Sequence, residues 1–114
     1  EMHEIAENGV AAHWDYKNPE LSKRTNKIKW IQELVGILDE EAGAEELQRA
    51  ILHAIEQLPQ DLKHALTLRE LEGMSYDDIA LAMSCPIGTV RSRIFRAREH
   101  VVQEVRHKFP GTFL

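Results

Sequence analysis

Apolar residues recur along this chain at helical spacing, and no segment alternates apolar and polar positions as a half-buried strand would. The pattern predicts an all-α fold. Ile5, Val10, Ala11 and Trp14 give a first amphipathic stretch, which Asn18-Pro19 ends because the residue before proline is pushed out of the helical region. Pro19 to Asn26 reads as a polar connector. Ile28, Ile31, Leu34, Val35 and Leu38 make the next stripe, and the acidic Asp39-Glu40-Glu41 run with Gly43 breaks it. Leu47, Ala50, Ile51, Ala54, Ile55 and Leu58 follow at the same period, stopped by Leu58-Pro59.

Beyond Pro59 the elements shorten and then lengthen. A helix over about 61–71 has Asp61 as its predicted N-cap, faces Leu62, Ala65, Leu66 and Leu71 inward, and stops at Gly73 in a left-handed turn. Ser75 with Asp78 three residues on resembles a capping box and opens a short helix, Tyr76 to Met83, with Ile79, Ala80 and Met83 as its apolar members. After the turn Ser84-Cys85-Pro86, the last and longest helix runs from Pro86 to about Lys108, before Pro110-Gly111. A short helix, a tight turn and a longer basic helix form a helix-turn-helix, whose second helix enters the major groove of DNA.

The outward face of that last helix carries the chemistry. With Val90 at zero and about 100° per residue, Ile94, Ala97 and Val101 fall within about 40° of it and form the buried seam. The opposite face holds Gly88, Ser92, Phe95 and Glu99, flanked by Arg91 and Arg96. Arginine and serine near the N-terminal end of such a helix hydrogen-bond base edges and phosphates. Arg98, about 80° from the seam, reaches phosphate or the protein itself. A large apolar side chain on this polar face is costly unless covered. A thymine methyl or the groove wall would cover Phe95, as would another protein segment. Gly88 near a helix start costs about 1 kcal/mol, which a close approach of backbone to DNA would explain.

Charge sharpens this picture. The 114 residues are 43% hydrophobic and 29% charged, the composition of a globular chain, with a formal net charge of −5. Residues 1–43 hold nine acids and five bases, net −4, and 44–114 hold ten acids and nine bases, net −1. Within 86–108, Arg91, Arg93, Arg96, Arg98, Arg106 and Lys108 face only Glu99 and Glu104, a local +4 suited to phosphate. One cysteine, Cys85, rules out a disulfide framework, and no apolar run approaches the roughly 20 residues of a membrane span. The expectation is a cytoplasmic chain with no membrane partner. It begins at Glu1 without an initiator Met, which suggests an excised or engineered piece.

The residues Leu58-Pro59, Thr67 to Gly73, Ser75-Tyr-Asp-Asp-Ile-Ala80 and Pro86-Ile-Gly-Thr-Val-Arg-Ser-Arg-Ile-Phe-Arg-Ala-Arg98 together resemble region 4 of extracytoplasmic-function sigma factors, of the envelope-stress type. The resemblance covers 44–108. It implies an all-α helix-turn-helix, winged-helix-like without the wing, that is not an enzyme and reads the promoter −35 element in double-stranded DNA. It implies further that Arg91, Ser92, Phe95 and Arg96 face that element, that Thr89 and Arg69 lie on backbone or flanking bases, and that Gly88 and Tyr76 belong to the same DNA-binding set. Docking on the RNA polymerase β subunit flap and masking by an anti-sigma factor also follow from it. Region 2, which reads the −10 element, has no counterpart in this sequence.

Residues 1–38 differ in kind. Met2-His3, Ala6 to Trp14, Tyr16-Lys17 and Lys29-Trp30-Ile31 are similar to the end of the synthetase domain of RelA/SpoT alarmone enzymes. That family's nucleotide-binding strands and Glu-x-Gln-x-Arg-Thr stretch are missing, so no catalytic residue carries over. The chain then divides into a RelA/SpoT-like helical fragment and junction, 1–43, and the helix-turn-helix domain, 44–114, most simply a fusion. The competing readings are a non-catalytic fragment of a (p)ppGpp synthetase/hydrolase, and a fusion serving anti-sigma factor or polymerase binding.

Other constellations carry less. His3-Glu4 lacks the second histidine of a zinc-protease helix, since position 7 is Glu7. The six histidines lack ligand spacing and Cys85 lacks a metal partner, so neither metal nor cofactor is expected. Trp14 and Trp30 sit at apolar helical positions and read as core.

Overall fold

The computed structural model describes residues 19–25 and 27–109. The stretch from Ile5 to Trp14, and with it most of the RelA/SpoT-like similarity, lies outside the described residues. Among the described residues six helices follow one another: α1 Pro19–Thr25, α2 Lys29–Ala42, α3 Ala44–Glu56, α4 Gln60–Glu70, α5 Tyr76–Met83 and α6 Ile87–Lys108. Among the described residues all regular structure is helical, as the periodicity predicts.

The expected polar connector at 19–26 is instead α1. Pro19 occupies its first position, where the missing N–H costs nothing, and Glu20 at the start with Lys23 and Arg24 at the end complement the helix dipole. Leu21 then anchors it in the core, and Thr25, fully buried, donates its Oγ1–H to Leu21 O at 3.0 Å. The Gln48 amide in turn donates to Thr25 Oγ1 at 3.0 Å, tying α1 to α3. The acidic run at 39–41 does not break the chain either. α2 continues to Ala42, and the break falls at Gly43, whose φ of 83° favours a residue without Cβ.

α3 carries the centre of the core. Leu47, Ile51, Leu52 and Ile55 are all but inaccessible, and Ala50, Ala54 and Leu58 are buried beside them. Burying each large aliphatic side chain contributes about 1.5–3 kcal/mol, which offsets the cost of ordering the helix. α2 lies on α3 through Ile31 and Leu34, with Ile28 buried just before it, while α6 crosses α3, α4 and α5.

α4 starts one residue earlier than expected. Pro59 occupies the N-cap position without a side-chain hydrogen bond, and Asp61 Oδ1 accepts from the adjacent Leu62 N at 3.0 Å instead of capping. Its inward set, Leu62, Ala65, Leu66 and Leu71, is buried as predicted. Lys63, not foreseen, is buried too, with Nζ 3.4 Å from Glu56 Oε2. Gly73 has the expected left-handed φ, 68°.

Candidate nucleic-acid interface

Local chemistry sets the turn that aims α6. Ser75 Oγ accepts from Asp78 N at 3.1 Å and caps α5. α5 ends at Ser84, whose φ of 52° is left-handed, a conformation that costs a β-carbon-bearing residue about 1–2 kcal/mol. Two bonds hold it there: Ser84 N donates to Leu81 O at 3.3 Å and Cys85 N to Ala80 O at 3.0 Å. Pro86 then serves as the N-cap of α6, with Thr89 N donating back to Pro86 O at 3.0 Å. The connection between α5 and α6 is thus the three residues Ser84, Cys85 and Pro86, the tight turn of a helix-turn-helix.

The 22-residue α6 is about 33 Å long at 1.5 Å per residue. Its seam is Val90, Ile94, Ala97, Val101 and Val105, all buried, so the helical-wheel assignment of its inner face is correct. Gly88, Arg91, Ser92, Phe95, Arg96 and Glu99 are exposed together on the outer face, and Thr89 is half-buried. Phe95 remains 64% exposed, so no described segment of this chain covers it. Arg96 Nε donates to Ser92 O at 3.4 Å, one turn back along the same face.

Tyr76 and Arg69 sit half-buried at the edge of this face. Arg69 Nη1 donates to Met74 O at 2.9 Å, and its guanidinium lies 4.6 Å from the centroid of the Tyr76 ring. The Arg91 guanidinium approaches the same ring at 6.0 Å. Gly88 has open space where a Cβ would stand, so packing within the protein does not require glycine there.

The basic helix is less uniformly cationic than its composition suggests. Arg93 reaches back to Asp61 at 3.7 Å and to Cys85 Sγ at 3.7 Å. Arg98 resolves toward the protein, with Nη2 donating to Glu70 Oε2 at 2.6 Å. Two of its cations are therefore neutralised by acids from α4, whereas Arg91 and Arg96 form no ion pair among the described residues. The outward charge concentrates near the N-terminal half of α6, where helix-turn-helix proteins meet base edges.

Sequence reasoning did not find the anchor behind this face. Trp30 Nε1 donates to Glu70 Oε2 at 2.9 Å, and the Arg24 guanidinium donates to Leu71 O, so α1 and α2 grip the end of α4. The available signal was a tryptophan at an apolar helical position, since a buried indole N–H takes a partner. Among the described residues no group of three or more His, Cys, Asp or Glu side chains could hold a metal ion, and no helix is long and apolar enough to cross a membrane.

The chain is similar in part to known proteins. The chain is 56% identical over 68 residues to the ECF RNA polymerase sigma-E factor of Haemophilus influenzae, which covers 60% of this chain and 36% of that protein. It is 57% identical over 63 residues to the proteins of the same name in Escherichia coli K12 and Salmonella typhi, covering 55% of this chain and 33% of each of theirs. The chain thus spans about a third of the length of these relatives. Residues 48–101 match the family model described as Sigma-70, region 4, and over that span the described residues fold as an all-α helix-turn-helix.

Proposed function

We propose that residues 44–108 are a promoter-binding module, not an enzyme, that reads the −35 element during transcription initiation. The carrying observation is the exposure of Arg91, Ser92, Phe95 and Arg96 side by side on α6, opposite a fully buried seam. In this reading Arg91 or Arg96 makes a bidentate contact to a guanine edge, Ser92 reaches a base or phosphate, and Phe95 packs on a thymine methyl or the groove wall. Thr89 flanks the contact on the DNA backbone, Tyr76 and Arg69 border it, and the backbone of Gly88 approaches a phosphate. The sigma-E relatives support RNA polymerase as the assembly in which the module works. Docking on the β flap and masking by an anti-sigma factor belong to the same proposal, as does a cytoplasmic location.

For residues 1–43 the proposal is a non-catalytic, RelA/SpoT-like appendage joined to the domain at Gly43. The likeness of Met2-His3, Ala6 to Trp14 and Tyr16-Lys17 to the end of a synthetase domain supports it. Purified chain given ATP with GDP or GTP is expected to form no pyrophosphate-transfer product, and detection of (p)ppGpp would overturn that assignment.

The deciding experiment for the module is fluorescence anisotropy with a −35 consensus duplex of the sigma-E type against a scrambled one, across a salt series. Preference for the consensus is expected, with a steep fall in affinity on raising salt from about four to six phosphate contacts. Equal affinity for both duplexes, or binding indifferent to salt, would overturn the assignment.

A further inference from the structure

Tyr76 opens α5, yet its ring is shared by three helices. The Arg69 guanidinium, from the end of α4, lies 4.6 Å from the ring centroid, and that of Arg91, from the first turns of α6, lies 6.0 Å from it. Arg69 and Tyr76 are half-buried, and the bond from Arg69 Nη1 to Met74 O pins the first guanidinium to the loop that leads into α5. Arg91 is exposed and lies at the outer limit of the range in which a ring face attracts a cation. The set is one fixed cation, one fixed ring, and one cation that leans on the ring without being bound by it.

An exposed arginine samples many rotamers, whereas a bidentate contact to a base edge needs one. Ordering that side chain on binding costs free energy, and anything that narrows its range beforehand returns part of that cost as affinity for the correct base. The face of an aromatic ring does this through its quadrupole, which owes little to the phenolic hydroxyl.

We propose that Tyr76 is a positioning residue for sequence readout: its ring, held by Arg69, pre-orients Arg91 toward the base edge. Discrimination at one base pair then depends on a residue of another helix. This deepens the promoter-reading assignment and rests on it.

The test uses the full chain and a set of singly changed −35 duplexes at two salt concentrations. The variants are Tyr76→Phe, Tyr76→Leu, Arg69→Gln, Arg91→Ala and Tyr76→Leu combined with Arg91→Ala. Tyr76→Phe keeps the ring and is expected to discriminate as the parent does. Tyr76→Leu is expected to lose about two- to fivefold in discrimination, the worth of an exposed cation–π contact, at the base pair whose preference Arg91→Ala abolishes. In the Arg91→Ala background the leucine change is expected to add no further loss there. Arg69→Gln, which unpins the ring, gives the same localised loss and keeps the test decisive if Tyr76→Leu fails to fold. Uniform weakening by Tyr76→Phe, with the salt slope unchanged because the phenol carries no charge, would make the hydroxyl a phosphate contact and overturn the proposal. Weakening of all duplexes alike by Tyr76→Leu and Arg69→Gln would overturn it in favour of a purely structural ring. If Arg91→Ala itself leaves base preference intact, Arg91 does not read sequence, and the underlying assignment of that residue falls along with this proposal.

Discussion

Arg98 and Trp30 converge on one carboxylate oxygen. Arg98 Nη2 donates to Glu70 Oε2 at 2.6 Å, the Trp30 indole N–H donates to the same atom at 2.9 Å, and the guanidinium stands 5.8 Å from the Trp30 ring. Helices α2, α4 and α6 are joined at this point. The Glu70 side chain is 14% exposed, so its negative charge has little water to turn to and depends on these donors.

Arg98→Ala should therefore act on stability and leave base preference alone. Hydrogen bonds to charged groups contribute about 1.5–3 kcal/mol, and with Arg98 38% exposed, solvent screening brings the expected loss to about 1–2 kcal/mol. Urea denaturation checks the first effect and duplex titration the second. Unchanged stability with uniformly weaker DNA binding would mean that Arg98 leaves Glu70 for a phosphate.

What the sequence discloses, and what it hides, follows from how many residues carry each signal. The seam of α6 repeats over four turns, so Val90, Ile94, Ala97 and Val101 were identifiable from spacing, and the exposed set from Gly88 to Arg96 followed by geometry. α1 has seven residues and a single large apolar side chain, Leu21, too few for a period to register. Asp61 has the chemistry of an N-cap, but its carboxylate is drawn to Arg93, 32 positions away, and to its neighbour's N–H. Pairings such as Arg98 with Glu70 arise when α6 crosses α4, and no local pattern encodes a crossing. For the same reason Arg91 was legible as an outward residue, whereas the ring it shares with Arg69 was not.

Lys63 and Glu56 should respond asymmetrically to substitution. Lys63 is buried, its side chain 6% exposed, and its Nζ has Glu56 Oε2 at 3.4 Å and Glu56 O at 3.5 Å. Glu56→Ala strands a buried ammonium and is expected to cost about 2–3 kcal/mol, whereas Lys63→Met removes the charge, keeps the volume and should be close to neutral. Thermal melts of the two variants decide this. Equal losses would show that the ion pair itself, and not the stranded charge, dominates.

Leu21 tests whether α1 and α2 fold as one unit with the helix-turn-helix. It is 3% exposed, and Leu21→Ala should cost about 2–4 kcal/mol through lost transfer and the cavity left behind. Because Arg24 and Thr25 link α1 to α4 and α3, the loss should appear as a lower midpoint of a single cooperative transition. An unchanged main transition, with only a separate early phase lost, would show that α1 and α2 are an independent flap.

Gly88 separates folding from binding in one substitution. It is the second residue of α6, its φ is not in the left-handed region, and a Cβ built there meets nothing within 4 Å. On helix propensity alone Gly88→Ala should stabilise the protein by up to about 1 kcal/mol, with less near a helix end. Nothing among the described residues therefore favours glycine at this position. If DNA is what favours it, because the phosphate backbone comes close to the Gly88 main chain, an added methyl holds the helix off the duplex. Gly88→Ala should then raise the midpoint in urea while weakening every duplex alike by about tenfold or more, since all sequences share the same backbone. A variant that gains stability and binds DNA as tightly as the parent would remove Gly88 from the interface and turn the docked orientation of α6 away from its first turn.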